Sequence, residues 1–430
     1  MARILILTIL LFPLLSAALA EPSPEQEERE IQSILGKEQI LLEDLFRLAD
    51  LSNPTLAAAK CEVRRRSAHV GQAGLFPNPG LGYELGELSE SDPESRKEKL
   101  SLSLPLILGA RRKAALESAR ASRDAASYTY DSTRREILRD IHDLWAEQLY
   151  FRETGQLFED LLLIANSTLK IARTRFESRA APESQVTRAL LEVYELEVAQ
   201  QQMQEDALRS SAELGALLGG IRIPLDRLSG DFASDTRFGQ ETATGEFPKQ
   251  HPGFRSAQRD VDAAEASLRQ ARAARIPDLE LSAALERNHA SEENFLEFGI
   301  SLPLPLFNRN QWKIAEAAAL LEQTRNRALI LRNELLASLE VARKRQKNLQ
   351  AQLHAIEDRI LPAAERGLVQ AQEGYRIGHL PFLELIDAQN TLASTRLKTL
   401  ELRKDLLLAG AELQSLLPSG PSNESGFLHE

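Results

Sequence analysis

Sulfur is nearly absent from this chain: one cysteine, Cys61, and two methionines in 430 residues. A single thiol cannot close an intramolecular disulfide, so stability must come from burial and helix packing. Apart from Met1 the only thioether is Met203, which excludes a methionine relay for soft metal ions such as Cu(I) or Ag(I). Aromatic residues make up 5% of the chain, low for a globular enzyme of this length. No apolar run beyond the first twenty residues is long enough to span a bilayer as a helix. Nor is there a basic excess. Asp and Glu total 63 against 52 Lys and Arg, a net charge of −11, which argues against nucleic acid and against polybasic docking on a membrane.

The histidines are scattered. His69, His142, His251, His289, His354, His379 and His429 form no His-x-x-x-His pair, and no Cys-x-x-Cys exists. The expectation is therefore no enzyme, no cofactor and no tightly held metal, with His379 an ordinary exposed turn histidine.

What is present begins with a secretory signal over residues 1–20. Arg3 supplies the positive start, Ile4 to Leu15 the apolar stretch, and Ala18-Leu19-Ala20 a small-x-small cleavage site before Glu21. Beyond it the chain repeats itself. Ser103-Leu104-Pro105-Leu106 returns as Ser301-Leu302-Pro303-Leu304, Asn53-Pro54 is answered by His251-Pro252, and Pro79 by Pro277, all at an offset of 198. Ala212-Glu213-Leu214 returns as Ala411-Glu412-Leu413 at 199, the offset that also relates Phe176 and Pro182 to Tyr375 and Pro381. This is a duplicated unit. The expected organisation is a first repeat over 21–218, an inter-repeat linker with short structure over 219–250, a second repeat over 251–417, and a polar tail over 418–430.

Each repeat holds very long helices. Ile107 to Ala181 contains no proline and only Gly109 and Gly155. A helix of about seventy residues reaches roughly 100 Å, deeper than any compact core. Leu320, Ala328, Leu331, Leu335 and Leu339 recur at coiled-coil spacing. Between the helices the period drops to two. Leu100, Leu102, Leu104 and Leu106 alternate with Ser101, Ser103 and Pro105, and Leu296, Phe298 and Ile300 through Leu306 with Glu297, Gly299, Ser301 and two prolines, opposite Leu81, Tyr83, Leu85 and Leu279, Leu281, Ala283, Leu285. Hairpins are expected at about 79–106 and 277–306, with strands long enough to cross an outer membrane when tilted. Four strands cannot close a barrel, and an open edge in lipid leaves backbone groups unsatisfied. Three copies would supply twelve strands and close it, which makes a homotrimer the expected assembly.

With these features the chain resembles the TolC family of outer-membrane efflux proteins, over about residues 40–417. The resemblance rests on the duplication, on Asn53-Pro54 before an Ala- and Arg-rich helix, and on the two Leu-Pro strand exits. Most specific is Tyr375-Arg376-Ile377-Gly378 followed by Leu385-Ile386-Asp387-Ala388-Gln389. Leu75-Phe76-Pro77-Asn78-Pro79 is similar to the branch that serves cobalt–zinc–cadmium-type exporters. The resemblance implies a mainly α protein with a β-barrel part: a trimeric 12-strand barrel set in outer-membrane lipid above a long periplasmic coiled-coil barrel. It implies a passive duct for metal cations or small toxic compounds, loaded by a periplasmic adaptor and a proton-driven inner-membrane pump. It further implies that turns at Phe176–Pro182 and Tyr375–Pro381, including Gly378, form the periplasmic mouth, with Glu384 and Asp387 lining its constriction. Arg188 lies 199 residues before Asp387 and is expected to pair with it. Gln185 stands where many members carry an acid, which leaves a neutral Tyr375–Gln185 bond as the gating contact. Two other readings remain open at this point: a duct for type I polypeptide secretion, and a periplasmic coiled-coil adaptor or scaffold without a pore.

Overall fold

The computed structural model describes residues 24–86, 96–230, 247–289, 291 and 293–417. The signal sequence, the tail over 418–430 and much of the expected linker lie outside the described residues. The described part is mostly helical, with one small sheet. Two short helices, α1 (Pro24–Leu35) and α2 (Leu42–Ser52), precede α3 (Pro54–Ala73), a hairpin of β1 (Gly80–Gly86) and β2 (Lys97–Leu106), then α4 (Arg111–Glu177) and α5 (Glu183–Leu217). The second half gives α6 (Pro252–Ala273), β3 (Leu279–Asn288), β4 (Glu293–Ser301), α7 (Gln311–Ala355), α8 (Leu361–Arg376) and α9 (Phe382–Leu416).

The duplication is visible residue by residue. Helices α5 and α9 both have 35 residues and start 199 apart, each behind a proline in extended conformation, Pro182 or Pro381. The 67-residue α4 is matched by α7 and α8 together. These two are joined by a π turn, Ile356–Ile360. Pro362, just beyond it, has no N–H to give the Asp358 carbonyl, and a wider turn absorbs that loss. Both α3 and α6 begin with proline at the first helical position, behind a side chain that caps free amides. Asn53 Oδ1 accepts from the Thr55 and Leu56 amides at 2.8 and 3.0 Å, and His251 Nδ1 accepts from the Gly253 amide at 3.2 Å.

The sheet is antiparallel throughout, in the order β1-β2-β3-β4. Its register separates two faces. On one, Leu81, Leu102, Ala283 and Phe298 form a row beside Tyr83, Leu100, Leu285 and Leu296, with Leu104, Leu281 and Ile300 beyond. On the other face the rows are Gly80, Ser103, Ser282 and Gly299, then Gly82, Ser101, Ala284 and Glu297. A Cβ at Gly82 or Gly299 would approach Ser101 Oγ at 2.7 Å or Ser282 Oγ at 2.5 Å, so the serine hydroxyls would have to turn away. The apolar face stands open, with Phe298 and Ile300 at 80% and 75% exposure. Strand β4 stops at Ser301, short of the expected 306, where its partner runs out: Ser301 pairs with Glu280, and β3 begins at Leu279. Pro105 stays inside β2, which β3 continues to pair.

Midway along the long helices a collar forms around Ile40, Leu45, Leu48, Ile141, Trp145, Leu214 and Leu218. Residues 219–230, the start of the expected linker, carry a 3-10 turn at Leu225–Arg227, and Leu228 is built into this collar. Ile40 bridges Leu228 in parallel, Arg152 donates to the Leu228 and Gly230 carbonyls, and Trp145 Nε1 donates to Ser229 O at 3.3 Å.

Candidate functional site

Far from the sheet, α4 turns into α5 and α8 into α9, and a core of small and branched residues closes the tip. Ala165, Leu169 and Ala172 from α4 meet Ala189 and Val193 from α5, Leu368 and Ala371 from α8, and Leu385 and Ile386 from α9. Each turn needs one residue in the left-handed region. In the second it is Gly378, at φ 80°, and in the first it is Arg179, at φ 57°, 199 residues earlier. Gly374 admits the second turn a different way: a Cβ there would meet Leu380 Cδ1 at 2.5 Å.

Tyr375 is the centre of the tip. It is 2% exposed, and its hydroxyl donates to Gln185 Oε1 at 2.9 Å. The Arg175 guanidinium sits 4.5 Å over its ring and donates to its carbonyl at 2.8 Å. Phe382 packs against it with ring centroids 5.4 Å apart. Burial raises the phenol above its ordinary pKa, against the opposing pull of Arg175, so at neutral pH the hydroxyl keeps its proton and remains a donor. Two turns further along α9, buried Gln389 donates to Thr168 Oγ1 at 2.6 Å, fixing α9 to α4.

Glu384 and Asp387 share the exposed face of α9, opposite buried Phe382, Leu385, Ile386 and Gln389. Arg188 is exposed on α5. Among the described residues no ion pair joins Arg188 to Asp387. Helices α5 and α9 share the tip core through Ala189, Val193, Leu385 and Ile386, but Arg188 and Asp387 stand on their exposed faces, outside that core. Phe176, Pro182, Gly378, His379 and Pro381 lie at the turns, all exposed, and no group of metal-ligating side chains is found among the described residues.

Sequence reasoning brought Tyr375 and Gln185 together and placed both turns. It missed Arg175, Gly374 and Phe382. Gly374 was signalled, as a glycine inside a helical pattern beside the aromatic. For Arg175, one of many arginines on long helices, no sequence signal distinguishes it.

A family model described as "Outer membrane efflux protein" matches residues 45–220 and 246–418. The cobalt-zinc-cadmium resistance protein CzcC of Cupriavidus metallidurans is 27% identical, the match covering 84% of this chain and 86% of that protein. The nickel-cobalt-cadmium resistance protein NccC of Alcaligenes xylosoxydans is 25% identical over 68% of each. Among solved structures, CusC superposes with a TM-score of 0.77 at 19% identity, covering 88% of this chain and 92% of that one.

Proposed function

The chain belongs to the outer membrane efflux protein family, and we propose that it is the passive exit duct of a tripartite exporter whose cargo is metal cations or small toxic compounds. Family membership excludes the adaptor reading. The observation that carries the duct is the four-stranded sheet, apolar on one face, small and polar on the other, and unpaired along β1 and β4. Such edges are tolerated in lipid only if they close. Three copies, edge to edge, give a twelve-stranded barrel with Leu and Phe toward lipid and Gly and Ser toward the lumen. The helices continue below it as a periplasmic tunnel, the repeats over 21–218 and 251–417 each supplying half of a protomer's share. The first twenty residues direct export and are removed.

At the tunnel's far end, Glu384 and Asp387 from three protomers gather around the axis as a ring that attracts cations and repels anions. The duct runs no reaction; an inner-membrane pump, proton-driven, selects the cargo, and a periplasmic adaptor joins the two. Relatives named for cobalt, zinc, cadmium and nickel resistance support metal cations as cargo.

The test is deletion in a strain whose pump and adaptor are intact. Sensitivity to cobalt, zinc and cadmium should rise and the chain should restore resistance; unchanged sensitivity would remove metals as cargo. Reversal potentials in planar bilayers test the ring: Glu384→Ala with Asp387→Ala should lower cation preference, and unchanged selectivity would place these carboxylates away from the narrow point.

A further inference from the structure

Three segments meet at the end of the sheet nearest the helices: 107–113 before α4, 272–278 before β3, and 307–313 running into α7. Together they hold seven Lys and Arg residues against one carboxylate, Asp278. Two of the seven have partners. Arg111 pairs with Asp278 at 2.6 Å. Arg112 donates to Gly74 O at 2.7 Å and covers the Phe76 ring at 4.0 Å. The other five, Lys113, Arg272, Arg275, Arg309 and Lys313, are exposed, and among the described residues no ion pair joins them to a carboxylate. In a chain of net charge −11 this local excess is unusual.

Helix stability does not explain it. Lys113 and Lys313 are each the third residue of a long helix whose first turn has no acid, where the helix dipole disfavours a cation. Beside the cations stand Phe76, Phe307 and Trp312, exposed at 72%, 92% and 80%. Beyond the aromatics the apolar face of the sheet begins. Apolar band, aromatics, then cations is the order in which a protein surface passes from hydrocarbon through the interface to the headgroups.

We propose that this belt binds the phosphates of anionic phospholipids in the periplasmic leaflet and so sets the depth of the barrel. The inference rests on the outer-membrane placement. A soluble polyanion would use the cations but leave the exposed aromatics and their continuity with the apolar face unexplained.

The test uses the whole protein in vesicles of phosphatidylcholine alone or with one quarter phosphatidylglycerol. Helical circular dichroism gives the unfolding midpoint, and native mass spectrometry gives the lipid retained. Phosphatidylglycerol should raise the wild-type midpoint at low salt and be retained over phosphatidylcholine, by about fivefold for each basic residue engaged. High salt should erase both effects. Replacing the five cations by Gln should leave the phosphatidylcholine midpoint unchanged and abolish the increment. An equal increment in that variant, or none in the wild type, overturns the proposal. If the Gln variant does not insert, wild-type retention and its salt dependence decide alone. Failure to insert into either vesicle would instead overturn the membrane reading itself; equal insertion and stability in both would sink only the headgroup assignment.

Discussion

Tyr375 at the end of α8 donates its hydroxyl to Gln185 in the first turn of α5, at 2.9 Å, which ties the two halves of the duplication together at the tip. The donor is buried and the acceptor is half-buried, so the partners are not equivalent. Tyr375→Phe leaves a carbonyl oxygen that water can reach and should cost about 1 kcal/mol. Gln185→Leu strands a buried hydroxyl and should cost more, about 1–3 kcal/mol. Hydrogen exchange of amides 375–390 measures both. Equal protection in the two variants would mean that Tyr375 finds another acceptor.

Arg179 and Gly378 occupy equivalent turns with positive φ, but only one of them is glycine. A side chain in that region costs about 1–2 kcal/mol. Arg179→Gly relieves that cost, offset in part by the unfolded chain's added freedom. Gly378→Ala should destabilise by about 1 kcal/mol with no steric contribution, since no atom lies within 4 Å of the added Cβ. Thermal unfolding of both variants checks the opposite signs. A neutral Gly378→Ala would show that the turn relaxes out of the left-handed region.

The two turns were legible because Pro182, Pro381 and Gly378 punctuate otherwise unbroken helices, and the strands because Leu100 to Leu106 alternate on one face. What escaped the sequence depends on neighbours distant in the chain. The bridge from Ile40 to Leu228 is one residue long and carries no periodicity. The end of β4 at Ser301 follows from the start of β3 at Leu279, for the same Leu-Pro pattern stays paired in β2 where it lies opposite β3. The cationic belt was hidden by the net charge of −11, since Lys113, Arg272 and Lys313 come together only through the fold. Tyr375 and Gln185 meet within the protomer, whereas Arg188 and Asp387 form no ion pair there, since both side chains are exposed and equivalent positions on repeated helices need not aim at each other.

Two titrating groups give opposite slopes of stability with pH. His251 caps α6 through unprotonated Nδ1, and burial, with Arg135 adding, pushes its pKa down from 6.5 to about 4. Its folded pKa lies below the unfolded one, so the stability it contributes is lost as pH falls from 6.5 through 4. Burial pushes the Asp143 carboxyl up from 3.8 to about 6, against the nearby Arg139 charge. Its folded pKa lies above the unfolded one, so stability falls as pH rises from 3.8 to about 6. With the Asp143 side chain 37% exposed, solvent screening reduces this penalty to about 1 kcal/mol. His251→Asn, which copies Asn53, should flatten the acid side. Asp143→Asn should raise stability at pH 7 and leave little change between pH 4 and 6. Denaturant unfolding from pH 4 to 8 separates them, and parallel shifts in the two variants would contradict the assignment.

The last prediction concerns Arg188 on α5 and Asp387 on α9, both exposed and without an ion pair to each other among the described residues. A pair that does not form within a protomer is open to neighbouring ones, and the expectation is that it forms between protomers when the tip of the proposed trimer is closed. An exposed pair of this kind is worth about 0.5–1 kcal/mol. Three copies acting together reach about 1.5–3 kcal/mol, one to two decades in the closed population. Arg188→Ala should therefore raise the open probability of single channels, and high salt should do the same to the wild type by screening. A double-mutant cycle on open probability decides the matter. Coupling between Arg188→Ala and Asp387→Ala places the pair between protomers. Additive effects would leave the mouth held by packing around Tyr375 alone.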